Sequence, residues 1–221
     1  MVLDFTNGEG RFLIDGACGQ LQLGIMSSAR APDSVGASGI VTVVCHPHPL
    51  MGGTMNNKVV HTVARCHRDL GRRVVRFNFR GVEKSEGEYV EGVGEVDDLM
   101  AVLSWVRRVR PNDKIVLAGF SFGSYVVVQA ASQLLVHEMA LASLLLIAPA
   151  VVNYDFNGFT AFDIPLGVVF GDSDDVVEPA AMQKWFEQVS TEKKQLVLAG
   201  AGHFFHGQLV ELKALVEQLA L

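Results

Sequence analysis

With 221 residues, 49% of them hydrophobic and 19% charged, the chain can bury one large core, and residues 1–221 are taken as a single domain. A net charge of −6 with dispersed basic residues leaves no stripe to neutralise phosphates, which argues against nucleic-acid binding. Three scattered cysteines (Cys18, Cys45, Cys66) read as reduced, buried apolar residues; with no leader pattern after Met1 and no unbroken apolar stretch, they predict a cytoplasmic protein without a membrane anchor.

In chain order, Gly10 to Gly16 and Gln20 to Ser28 pattern as antiparallel edge strands, followed by a surface loop from Ser27 to Gly39. Ile40 to Cys45 is the first of several short apolar runs that read as buried parallel strands. The next are Arg73 to Phe77, Lys114 to Ala118, Leu144 to Ala148, Leu166 to Phe170 and Gln195 to Leu198. Helical patterns alternate with them: Asn57 to Leu70, stopped by Gly71; Glu95 to Val109, ended by Pro111; a run over Tyr125 to Ala131; one opened by Pro179; and Gln208 to Leu219. His61 and His67, six apart on the first helix, do not share a face and are expected on its surface. Such alternation predicts an α/β fold, a mostly parallel sheet with helices on both faces and ligands at the carboxyl ends of the strands. The segment from Pro149 to Pro165 has room for a loop but no cap domain.

The chemistry-bearing residues fall at those strand ends. Ser121 lies in Gly119-Phe120-Ser121-Phe122-Gly123, between a strand and a helix, where a strained turn presents a hydroxyl to a base and the flanking glycines let strand and helix approach. A serine nucleophile needs a base, an acid to orient it and donors for the developing oxyanion. His203, after the glycine turn Gly200-Ala201-Gly202, is the expected base; His206 reads as a surface or supporting histidine. Asp172, Asp174 and Asp175 compete for the acid. For the oxyanion, the loop His46-Pro47-His48-Pro49-Leu50-Met51-Gly52-Gly53 offers the N–H of Leu50, with Met51 in reserve, to pair with that of Phe122. Pro47 and Pro49 have no N–H to give. His46-x-His48 also admits metal ligation, but no further ligand cluster accompanies it, and no cofactor is expected. Arg80 is read as a partner for Glu95, Asp97 or Asp98, or as a contact for an anionic substrate. Met51, Tyr154 and Phe156, with Phe159 and Phe162, are candidates to line a substrate pocket; aromatics that pin the loop to the core are the other reading.

Together, His46 to Lys58, Arg76 to Gly81, Gly119 to Gly123 and Gly202 to Gly207 resemble the small bacterial lid-less α/β-hydrolases, across essentially the whole chain. The resemblance implies the α/β-hydrolase fold without a cap, and Asp174, in Gly171-x-x-Asp174-x-x-Val177, as the acid of a Ser121-His203-Asp174 triad. It implies an esterase-like activity; the missing cap predicts an open, shallow site, which favours short acyl esters or thioesters over long lipids. A thioesterase or acyltransferase would use the same residues, and a binding module that retains the fold is the reading from another class. One departure stands out: Glu83 follows Val82 where relatives often carry glycine.

Overall fold

A strand flanked by helices on both faces must be apolar on both, so its alternate residues feed two different cores. The computed structural model, which describes residue 5 and residues 9–27, 39–136, 140–159, 161 and 163–220, realises this. Its elements are β1 (Gly10–Gly16), β2 (Gly19–Met26), β3 (Ile40–Cys45), α1 (Lys58–Asp69), β4 (Arg73–Phe77), α2 (Val93–Val109), β5 (Lys114–Phe120), α3 (Phe122–Val136), β6 (Leu141–Ile147), β7 (Leu166–Gly171), α4 (Pro179–Gln188), β8 (Lys193–Leu198) and α5 (Leu209–Leu219). The strands form one eight-stranded sheet in the order β1-β2-β4-β3-β5-β6-β7-β8. β2 pairs antiparallel with both β1 and β4, and the other pairings are parallel. β1 is therefore an edge as expected, whereas β2 lies inside the sheet. Most of the expected surface loop, residues 28–38, lies outside the described residues.

Val41, Val43 and Cys45 of β3 join the core under α2, α3 and α4, while Val44 joins the opposite core under α1 and α5. Helix boundaries follow local chemistry. Asn57 Oδ1 accepts the N–H of Val59 at 2.9 Å to open α1. The Glu95 carboxylate accepts the N–H groups of Val90 (3.0 Å) and Gly92 (2.8 Å) at the start of α2.

Three sequence expectations are corrected. β6 begins at Leu141 rather than Leu144, because buried Ser143 is carried inside the strand at a register shift against β5. Cys18 is exposed, while Cys45 and Cys66 are buried. His67 is buried, not on the surface: its Nδ1 lies 2.9 Å from Thr42 Oγ1 on β3 and accepts from Arg72 Nη1 at 3.1 Å. The surface expectation failed because α1 is covered on two sides, by the sheet and by α5. Among the described residues, no helix is long and apolar enough to cross a membrane.

Candidate active site

β5 runs straight into α3 through Ser121, the single residue between them, at φ 53°. A non-glycine residue in this left-handed region is strained, and the strain is held by packing on both sides. Ser121 N–H donates to Ile147 O at 2.9 Å, and Ser124 bridges the turn, its N–H on Ser121 O (2.9 Å) and its hydroxyl on Gly119 O (2.8 Å). The glycines are there for space. A Cβ on Gly119 would lie 2.4 Å from Gly123 O, and one on Gly123 would lie 2.5 Å from Cys45 O. Because both obstacles are backbone, Gly123→Ala is expected to cost about 3 kcal/mol or more of unfolding free energy in urea melts; a loss below about 1 kcal/mol would mean that the turn is not so tightly packed.

The loops after β7 and β8 bring the other two groups to this serine. His203 Nε2 lies 2.9 Å from Ser121 Oγ, and His203 Nδ1 lies 2.8 Å from Asp174 Oδ2. The second carboxylate oxygen of Asp174 accepts the N–H groups of Val176 (2.9 Å) and Val177 (2.8 Å). Burial works to raise the Asp174 carboxyl, but His203 and these two N–H groups outweigh it and hold the group below its ordinary value. Of the three competing acids, Asp174 alone meets the histidine. Asp172 Oδ1 instead accepts the N–H of Gly200 at 2.7 Å, tying the two loops together, and Asp175 is exposed. His206 is exposed, just ahead of α5.

The loop after β3 departs from expectation. The N–H of Leu50 donates to His48 Nδ1 (3.1 Å) and that of Met51 to His48 O (3.1 Å), because Pro49 starts a tight 3-10 turn capped by the His48 side chain. Gly52 and Gly53 donate to Pro49 O and His48 O. The N–H of His48 has no hydrogen-bond partner among the described residues. Phe122, as the first residue of α3, presents an N–H that the helix itself cannot satisfy. The loop is anchored from below by His46, whose Nε2 accepts the N–H of Phe79 (3.0 Å), so that Nδ1 carries the proton donated to Pro47 O (2.6 Å). Both nitrogens of that ring are thus engaged with backbone, which leaves none for a metal.

Burial pushes the His46 imidazole down to about 4 and that of His67 to about 3, from an ordinary 6.5. The unfolded chain therefore takes up protons below pH 6.5 that the folded chain refuses, so stability is complete above pH 6.5 and declines as the pH falls towards 4 and then 3. The loss is on the order of 3 to 5 kcal/mol per ring. Urea melts at neutral pH and near the lower limit check this, and an unchanged midpoint would rule out two neutral buried rings.

The expected pocket aromatics divide. Phe156 is buried against Trp185 and Tyr125 and belongs to the core. Tyr154 stacks on Tyr125 at 4.7 Å and lies 5.3 Å from Phe122; Phe159 packs on the core, and Phe162 lies outside the described residues. Arg80 is held by Asp98, with Nη2 at 2.8 Å from Oδ1, Nε at 3.0 Å and the Arg80 N–H at 2.9 Å from Oδ2. That buried pair makes it a fastening of the loop after β4 to α2. Large apolar side chains are exposed on the site's loops: Leu50, Met51, Val152, Val176 and Phe204. Sequence reading missed Ser124, the anchoring role of His46 and the unpaired N–H of His48; the last was reachable once both prolines had been set aside as donors.

An open α/β sheet with a strained serine between strand and helix, and an acid and histidine on the last two strand ends, defines the α/β-hydrolase class. Residues 43–156 match the family model described as alpha/beta hydrolase fold. An uncharacterised protein of Rickettsia prowazekii (strain Madrid E) is 36% identical over 174 residues, 75% of this chain and 71% of that protein. An alpha-beta serine hydrolase homologue from Coxiella burnetii is 42% identical, with a TM-score of 0.89 over 97% of this chain and 99% of its own. A serine hydrolase without lid from Xanthomonas campestris is 37% identical, with a TM-score of 0.88 over 97% and 94%. The chain belongs to the alpha/beta hydrolase family, and its fold is the lid-less form.

Proposed function

We propose that the protein is a serine hydrolase that cleaves small carboxylic esters through an acyl-enzyme on Ser121. The carrying observation is the unbroken hydrogen-bond chain from Asp174 through both nitrogens of His203 to Ser121 Oγ. Asp174 keeps the proton on His203 Nδ1, so Nε2 accepts the serine proton as Oγ attacks the ester carbonyl. The oxyanion is held by the N–H of Phe122 and, in place of Leu50, that of His48; each such donor contributes about 3 to 4 kcal/mol to the transition state. His203 then passes its proton to the departing alkoxide, and water activated by the same ring releases the acid. No metal or redox group enters these steps.

The exposed apolar rim of Leu50, Met51, Val152, Val176 and Phe204 supports a neutral, apolar ester as substrate. The deciding experiment is fluorophosphonate labelling of wild type, with the modified peptide identified by mass, beside turnover of p-nitrophenyl butyrate. Labelling on Ser121 with ester turnover is the expected result. Absence of both would favour a binding module on this fold.

A further inference from the structure

A cleft of about 400 Å³ lies beside the loop after β3, lined by Pro49, Leu50, Gly81, Val82, Glu88 and Tyr89, with Arg80 at its wall. The Tyr89 ring stands 4.8 Å from His48 and 5.9 Å from Phe122, the two residues whose N–H groups are proposed to hold the oxyanion. Those distances are between ring centres, and Pro49 and Leu50 on the cleft wall directly follow His48, so the cleft adjoins the loop proposed to hold the oxyanion. Strand order decides which half of an ester reaches it. β4, whose loop supplies Arg80 to Tyr89, lies on one side of β3 and β5, whereas β7 and β8, which carry Asp174 and His203, lie on the other. The leaving oxygen must face His203 to receive its proton, so the alcohol points towards β7 and β8 and the acyl chain towards β4.

The charge in the cleft is one-sided. The guanidinium of Arg80 is bound by Asp98 and offers no free cation. Glu88 is exposed and has no hydrogen-bond or ion-pair partner among the described residues. Glu83, Glu86 and Glu91 stand on the same loop, whose cations are Lys84 and the Arg80 already paired with Asp98. A carboxylate at the rim of an apolar cleft repels an anionic ligand and attracts a cationic one, and a tyrosine face adds to the second effect.

Building on the proposed ester hydrolysis, we infer that this cleft is the acyl subsite and that Glu88 makes it select by charge, taking acyl chains with a neutral or cationic end and turning away those with an anionic end. The test keeps the leaving group constant. The p-nitrophenyl esters of trimethylammoniobutyrate, of its uncharged tert-butyl isostere and of sulfobutyrate are compared by kcat/KM. The cationic and neutral esters are expected to exceed the anionic one by about tenfold or more at low salt. Glu88→Gln should narrow the cationic-to-anionic ratio by about threefold or more, as should high salt acting on wild type. Leu50→Trp, a change at an exposed side chain, should shift the acyl preference towards acetate by filling the cleft. A ratio equal in wild type and Glu88→Gln overturns the charge selection, and a chain-length preference unmoved by Leu50→Trp overturns the subsite. If none of the three esters turns over while Ser121 still labels with fluorophosphonate, the subsite is wrong and the serine hydrolase stands. Loss of labelling as well removes the proposed function, and this inference with it.

Discussion

Ser121→Ala is expected to lower kcat on p-nitrophenyl butyrate about a millionfold and to leave the fold in place. In the proposed mechanism the hydroxyl forms the acyl bond, so its removal leaves only whatever water can do in the same pocket. Residual turnover of about a thousandfold over the uncatalysed rate should persist, because the N–H groups of Phe122 and His48 and the His203 ring remain. Stability should change by less than about 1 kcal/mol. Alanine at φ 53° carries the same backbone strain as serine, and among the described residues the deleted oxygen has only His203 as partner. Turnover and urea melts on the same preparation check both halves. A variant retaining a tenth of wild-type activity would remove the nucleophile assignment.

Asp174→Asn is expected to lower kcat about ten-thousandfold. The reason lies in the partners of the carboxylate. Oδ1 accepts two backbone N–H groups, from Val176 and Val177, so an asparagine must place its carbonyl oxygen there and turn its NH2 towards His203. An NH2 facing Nδ1 forces that nitrogen to accept, which moves the imidazole proton to Nε2. The ring then donates towards Ser121 and can no longer take its proton. The same variant should keep its labelling site but react with fluorophosphonate far more slowly. Turnover within about tenfold of wild type would show that another group sets the tautomer.

Much of this geometry could be read from side-chain chemistry in the sequence. Ser121, Asp174 and His203 sit at strand ends whose apolar runs are plain, and their spacing in the chain follows the order of the sheet. The Leu50 expectation failed for a different reason. Backbone donors leave no signature in residue type, and only the turn geometry, with the His48 side chain capping Leu50, reveals which N–H remains free. Phe156 looked like a pocket residue because aromatic character marks cores and binding sites alike. His67 looked exposed because its helix is covered from two directions, and a single-helix pattern records neither neighbour. Glu83 shows the converse, a sequence oddity made intelligible by structure. Its φ of 50° lies in the left-handed region that favours glycine, and its carboxylate accepts from the side-chain amides of Asn56 and Asn78 at 3.1 Å each.

The connection between β6 and β7, which carries no cap domain, has a kinetic meaning. An enzyme that closes a lid can assemble its catalytic groups on closure and use the movement to check its substrate. With no such part to move, this site must be finished before a substrate arrives, and the distances of 2.8 and 2.9 Å around His203 already belong to the resting molecule. Discrimination is then left to the fixed side chains at the rim, so new substrate preferences can arise by single replacements there without any change to the machinery beneath.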